Sequence, residues 1–257
     1  MIYFPPLRTR RLTVQLRELS IGDSLTLAAM PGHMEEASTT AFLRCAVDAA
    51  KVAVEDPARW TVQERILAVC HYLSATTEDG PDFSLGEGHY SDYLQGEADI
   101  QTSVQAVEVG EVGGDTWHVR HLTGAMAESI ERMAGEIEGL SGRLHWLFGA
   151  MAAQLVRTGE EVPDAAAGEG AFDEFLLSRV MVLKGYPESD FAKLMTLYLE
   201  GRDKLHHFFK LEFTEDGIVA MPKGGAAGNL PPARFPVHTC LSRMARELVG
   251  KPDGDGI

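Results

Sequence analysis

Apolar positions recur along this chain with two different periods, and the switches between them delimit its elements. Residues 116–133 show both. Trp117, Val119 and Leu122 keep a strand-like rhythm, and Thr123 then caps a helix carrying Ala127, Ile130 and Met133. Upstream, 9–17 alternates with Leu12, Val14 and Leu16 on one face, which predicts a strand. Ser20 caps a short helix with Ile21, Leu25 and Leu27, ended by Pro31-Gly32. A helix over 35–54 follows, with Phe42, Leu43, Val47 and Val54 as core contacts, broken at Asp56-Pro57. The clearest helix is 61–73. Thr61 and Glu64 form a T-x-x-E capping box, in which each side chain satisfies a free backbone N–H of the other, and Val62, Ile66, Val69 and Leu73 make the apolar stripe.

Residues 76–96 are polar, glycine-bearing and spotted with aromatics, and read as a long loop. A strand over 101–112, with Val104, Val107 and Val109, turns at Gly113-Gly114 and pairs with 117–122. Helices are predicted over 125–137, 144–157 and 172–184, and another from Pro187 to about His207. Phe209, Leu211 and Phe213 alternate as a strand, Asp216-Gly217 makes a hairpin turn, and 218–221 returns. A Gly/Pro loop over 223–236, a final helix over 238–249 and a frayed 251–257 complete the pattern. The class is α+β, predominantly helical with two small antiparallel β-hairpins. Residues 159–170, rich in Ala, Gly and acids, read as a linker between an N-terminal region, 1–158, and a C-terminal helical region with a hairpin, 171–250.

Composition narrows the function classes. The 257 residues carry 38 acidic against 23 basic side chains, a net charge of -15, and such a field repels a phosphate backbone. One basic cluster stands out: Arg8, Arg10, Arg11 and Arg17. It reads first as a solvated edge strand that discourages mis-pairing, and otherwise as a docking strip for an acidic partner. Three scattered cysteines, Cys45, Cys70 and Cys240, suit a reducing cytoplasm better than a disulfide framework. Neither a signal-peptide core nor a run of about 18 apolar residues is present, so secretion and membrane spanning are not expected.

Chemistry-bearing motifs are sparse. There is no H-E-x-x-H, C-x-x-C, G-x-S-x-G, P-loop or dinucleotide fingerprint. His118 and His121 are three apart on a strand and fall on opposite faces. Cys70, His71, His238 and Cys240 could meet as two local pairs in a metal-stabilised or metal-dependent site, but neither spacing is a standard ligand spacing, and a buried thiol is a small hydrophobe. The carboxylate pairs Glu35/Glu36 and Glu128/Glu131 fit solvent-facing helix surfaces. No catalytic residue, cofactor site or metal site is therefore expected. Trp146 and Phe148, beside the small residues Ala150, Ala152 and Ala153, read as core or as a partner-binding helix face. Phe209 and Phe213 pose the same choice, and with Arg10 these are the candidate partner-binding residues.

Three segments resemble a known family. PPLRTRRLTVQLRELSIGDSLTLAAMP, RWTVQERILAVCHYL with the later DYL, and WHVRHLTGAMAESIERM with the helical segments HWLFGAMAAQL and YPESDFAKLMTLYL follow in the same order as in phage tail proteins related to the T4 baseplate-hub assembly proteins, especially those of transposable, Mu-like phages. The resemblance implies a role in tail or baseplate morphogenesis, as an assembly chaperone or minor structural component in the host cytoplasm or the virion. It implies other tail or hub proteins as partners, self-association as a further option, and no catalytic residue.

Overall fold

A computed structural model describes residues 2–49, 55–95, 105–168 and 170–250. In chain order the elements are β1 (Leu7–Arg8), β2 (Thr13–Val14), α1 (Ile21–Ala28), α2 (Glu35–Ala46), α3 (Val62–Thr76), β3 (Ser84–Leu85), β4 (Gly88–His89), β5 (Val107–Val112), β6 (Asp115–Val119), α4 (Gly124–Arg132), α5 (Gly142–Gln154), β7 (Leu155–Arg157), α6 (Ala171–Lys184), α7 (Glu188–Leu205), β8 (Lys210–Thr214), β9 (Gly217–Met221) and α8 (Arg243–Leu248). All the strand pairing is antiparallel: β1-β2, β3-β4, β5-β6-β7 and β8-β9. The fold is thus α+β and mostly helical. Both expected hairpins, β5-β6 and β8-β9, are present, and the described residues add two smaller ones and a third strand.

The chain forms two compact units. One holds Met1–Ile100, His207–Glu212 and Val219–Ile257, the other Gln101–His206 and Phe213–Ile218. Residues 159–170, read from sequence as a linker between regions, instead lie inside the second unit. The reason is electrostatic as well as steric: Glu160 pairs with Arg179 of α6 and with Arg157 of β7, so the segment is tied down at its start.

In the first unit α3 is the central element. Both halves of its capping box form, with Thr61 Oγ1 accepting from Glu64 N at 3.1 Å and Glu64 Oε2 accepting from Thr61 N at 2.9 Å. Leu12, Val14 and Leu16 are buried, the face that alternation predicts. The strand itself is shorter than expected, because residues 9–12 close a turn in which Thr9 N donates to Leu12 O at 2.8 Å. α2 stops at Ala46 rather than 54, since Val47 turns extended to bridge Leu16. Val54 lies outside the described residues. Residues 84–89 form a two-strand hairpin where a loop was expected. Gly86, at φ +56°, makes the turn, and buried Phe83, Leu85 and Tyr93 hold the segment. The final helix is also broken: a 3-10 turn, Val237–Cys240, precedes an extended Leu241, and Ser242 then caps α8 by accepting from Ala245 N at 3.2 Å. The tail 251–257, expected to fray, lies outside the described residues.

The second unit packs α7 on the β5-β6 hairpin and α4, α5 and α6 on one another. Gly201 on α7 lets the backbone approach the sheet; a Cβ there would stand 2.6 Å from Val109 and 2.7 Å from Val119. Gly149 does the same between α5 and Ile130 of α4. Two helices end early. α4 stops at Arg132, followed by a turn containing Gly135 and Gly139 at positive φ, and α5 stops at Gln154 because residues 155–157 pair with β6 as β7.

Candidate functional site

The first unit carries an open groove of about 470 Å³, a volume typical of ligand pockets. One wall is α3. Leu67, His71, Ser74 and Ala75 are spaced three or four apart, so they share one face. The facing wall is the segment Tyr3, Pro5 and Leu7, with Pro81 and Tyr90 completing the lining. Three contacts hold that segment along the helix. Phe4 is buried and stacks on Tyr72 with centroids 5.0 Å apart, Gln15 Nε2 donates to Phe4 O at 2.8 Å, and His71 Nε2 donates to Pro5 O at 2.7 Å. Tyr90 is fixed by stacking on Phe83 at 5.2 Å, its phenol pushed well above the ordinary value by burial. Ser74 Oγ donates to its own helix, to Cys70 O at 2.8 Å. The polar groups of the groove are therefore few and largely engaged, while Tyr3 stands 79% exposed at its rim.

Beyond Leu7 lies a buried polar network that sequence reading missed. Arg11 binds both oxygens of Glu64, Nε at 2.7 Å and Nη2 at 2.5 Å, and lies 3.6 Å from Glu55. Glu64 is 2% exposed; burial pushes its carboxyl up, but the hydrogen bonds and charge of Arg11 outweigh that and leave it below the ordinary value. Thr61 Oγ1 and His207 Nε2 are 2.9 Å apart in the same buried region. Phe208, next to His207, holds φ +57°, a left-handed conformation uncommon for a bulky residue. The solvated-edge reading thus fails for Arg11, which turns inward. The one sequence signal was the capping-box glutamate itself, and capping boxes are ordinarily exposed. Arg65, also buried, donates to Thr40 Oγ1 at 3.0 Å and lies 3.2 Å from the Glu36 carboxylate, so Glu36 does not simply face solvent.

The candidate partner-binding residues divide. Arg10 is exposed, and Trp146 and Phe148 are half-buried on α5, with Phe148 stacked on Phe191 at 5.2 Å. Phe209 and Phe213 are core side chains, 0% and 4% exposed. Phe209 packs near Tyr90 and Phe235, and Phe213 lies under the guanidinium of Arg202 at 4.7 Å. Neither presents a surface to a partner, because both side chains are buried.

The Cys/His set meets only in part. The 3-10 turn bearing His238 and Cys240 packs on α3, but His71 is held by Pro5 and His238 is exposed. Burial pushes the thiols of Cys70 and Cys240 well above the ordinary value, which keeps them protonated. Among the described residues no three His, Cys, Asp or Glu side chains are grouped to hold a metal ion. His118 lies on β6 and is half-exposed, whereas β6 ends at Val119, so His121 lies past the strand, where it is buried.

In the second unit Trp117 is fully buried, with the guanidinium groups of Arg157 and Arg179 at 5.6 Å and 5.5 Å from its ring. Arg179, itself 3% exposed, donates to Leu155 O at 3.3 Å and pairs with Glu160. Arg120 has its pKa lowered to about 10 by burial and by the nearby charge of Arg179. These charges are spent on packing a sheet against α6.

No family model, curated protein or solved structure matches this chain. Among the described residues no helix is long and apolar enough to cross a membrane.

Proposed function

We propose that the chain is a non-enzymatic morphogenesis protein of a phage tail or baseplate, an assembly chaperone or minor tail component that binds other tail proteins during assembly in the host cytoplasm. The ordered segment resemblance motivates the assignment, and the observation that carries the binding role is the groove along α3. Its walls are proline, tyrosine and leucine, and its histidine and serine are engaged with neighbouring backbone. Such a surface suits apolar side chains of another polypeptide better than a reacting small molecule. Exposed Met181, Val182 and Leu199 on α6 and α7 add apolar surface of the same kind.

Co-expression of the chain with baseplate-hub and tail subunits, followed by affinity capture and size-exclusion chromatography, tests the reading. A stoichiometric complex with one of them is expected; elution of the chain by itself in every pairing would remove it. Mass spectrometry of purified particles then separates the two roles, since a chaperone is missing from the finished particle and a component is retained.

A further inference from the structure

We infer that the outer edge of β5 pairs with an extended basic segment of another polypeptide, which joins the sheet as a fourth strand. This edge lies in the second unit, and its pairing depends on neither the groove nor the morphogenesis role. In the β5-β6-β7 sheet β5 is terminal, and among the described residues no strand flanks its outer side. The backbone groups that point away from β6 over 107–111 have no hydrogen-bond partner among the described residues. The open row stops there, because Val112 O accepts from Trp117 Nε1 at 3.3 Å. α7 lies across one face of the hairpin, where Gly201 abuts Val109 of β5 and Val119 of β6, and Leu197 sits against Gly110. A row of open N–H and C=O groups is a template for a further strand.

A bulge sets the charge of the occupant. Glu108 stands opposite His118 and Gly110 opposite Trp117, so Val109 is the extra residue, and Gly110 takes φ +131°. In a regular strand Glu108 and Glu111, three apart, would fall on opposite faces. Here Glu111 stands opposite Thr116, two residues from His118, so both glutamates share one face. That face is the solvated one: Glu108 and Glu111 are exposed, while Val112, Trp117 and Val119 are buried on the other. Glu108 lies 3.8 Å from His118, whose ring is charged only when protonated, and Glu111 has no ion-pair partner among the described residues. The third acid of the hairpin, Asp115, is paired with Arg157, and residues 107–119 contain no Lys or Arg.

The same two carboxylates choose between partners. A second copy that paired its β5 with this one would set glutamates against glutamates, and like charges across a strand pair destabilise it. A segment with Lys or Arg at alternate positions places its cations beside Glu108 and Glu111 on one face, and so adds cross-strand ion pairs to the main-chain ladder.

Fluorescence anisotropy on the full chain, with labelled peptides of about eight residues, tests this pairing. One peptide alternates Val and Lys, the second Val and Glu, and the third Pro and Lys, which keeps the charge but cannot hold a ladder. The Val-Lys peptide is expected to bind, more weakly as salt rises, and the other two at least about tenfold more weakly. Hydrogen exchange locates the site: with the Val-Lys peptide bound, amides within 107–111 exchange more slowly, while those of β7, the other edge of the sheet, keep their rate. The double variant Glu108→Lys with Glu111→Lys alters only exposed side chains, so it should melt like the parent and turn its preference to the Val-Glu peptide. The exchange measurement uses the parent chain and decides the matter even where the variant fails to fold. No binding of the Val-Lys peptide up to about 1 mM would overturn the inference, as would equal binding of that peptide and either control. Val-Lys binding without slower exchange in 107–111, or a folded variant that keeps the parent's preference, would overturn it as well.

Discussion

Glu64 shows how one side chain can serve two levels of structure. Its backbone and carboxylate close the first turn of α3, and the same carboxylate is the buried anchor for Arg11. Removing the cation strands an anion that is 2% exposed. Arg11→Met should therefore destabilise the protein by about 3–5 kcal/mol in chemical denaturation, more than any surface pair is worth. The pair also sets an acid limit. Because the folded-state pKa of Glu64 lies below its ordinary 4.5, the stabilisation is full above that value and disappears as pH falls through the lower folded value. Denaturation midpoints measured from pH 7 downward should show a drop below about pH 4.5 that is smaller in Arg11→Met; identical pH profiles would mean that the pair carries no such linkage. Thr61→Ala is a second probe. It removes the cap of α3 and the hydroxyl that faces His207, and should cost about 1–2 kcal/mol, whereas a neutral result would place the stability of that turn in Glu64 alone. At this scale the sequence was half legible. The T-x-x-E signature is local and can be read directly, but Arg11 lies 53 residues from Glu64, and nothing in either segment announces that they meet. The groove was illegible for the same reason, since Tyr3, Leu67 and Tyr90 converge only after α3 has packed.

Helices were more legible than strands, and the physics of each explains the difference. The stripe of α3 and the caps of α1 and α4 are set within one or two turns, so Ser20, Thr61 and Thr123 all cap where the pattern places them. β7 has no such internal signal. Leu155, Val156 and Arg157 continue a helical pattern and leave it because β6 offers them a ladder. The same competition ends α2 at Ala46, where Val47 bridges Leu16. Two close approaches between elements went unforeseen because they depend on what is missing from a side chain. Gly201→Ala would drive a methyl group into Val109 and Val119, and Gly149→Ala into Ile130. Alanine ordinarily stabilises a helix relative to glycine by roughly 0.5–1 kcal/mol, so the sign of the result is diagnostic. Each substitution is expected to destabilise by about 1–3 kcal/mol, as overpacking does in a filled core. A raised melting temperature in either variant would show that the neighbouring valine or isoleucine side chains give way easily.

For the molecule as a whole, contiguity in sequence is a poor guide to what folds together. The first unit draws on both ends of the chain and on residues near 207–212, with the second unit inserted between them. Its core includes Phe209, Val219, Phe235 and Val237, all buried and all contributed from beyond residue 206. Tyr93 donates its hydroxyl to Pro231 O at 2.8 Å and packs edge-on to Phe235, so even the aromatic segment before residue 100 depends on the distant strand region. Full burial of one such apolar side chain is worth about 1.5–3 kcal/mol, and four of them together are comparable to the roughly 5–15 kcal/mol that holds an ordinary domain together. A fragment of residues 1–100 should therefore show some helical circular dichroism but no cooperative thermal transition, although α3 and both walls of the groove are present in it. A fragment of residues 1–158 should fare no better. It loses the same aromatic residues from the first unit, and it also cuts Glu160 from Arg157 and α6 from α5 in the second. A sharp two-state melt of residues 1–100 would show that the N-terminal segments and α3 make a sufficient core, and that the returning strands are an addition to it rather than a requirement.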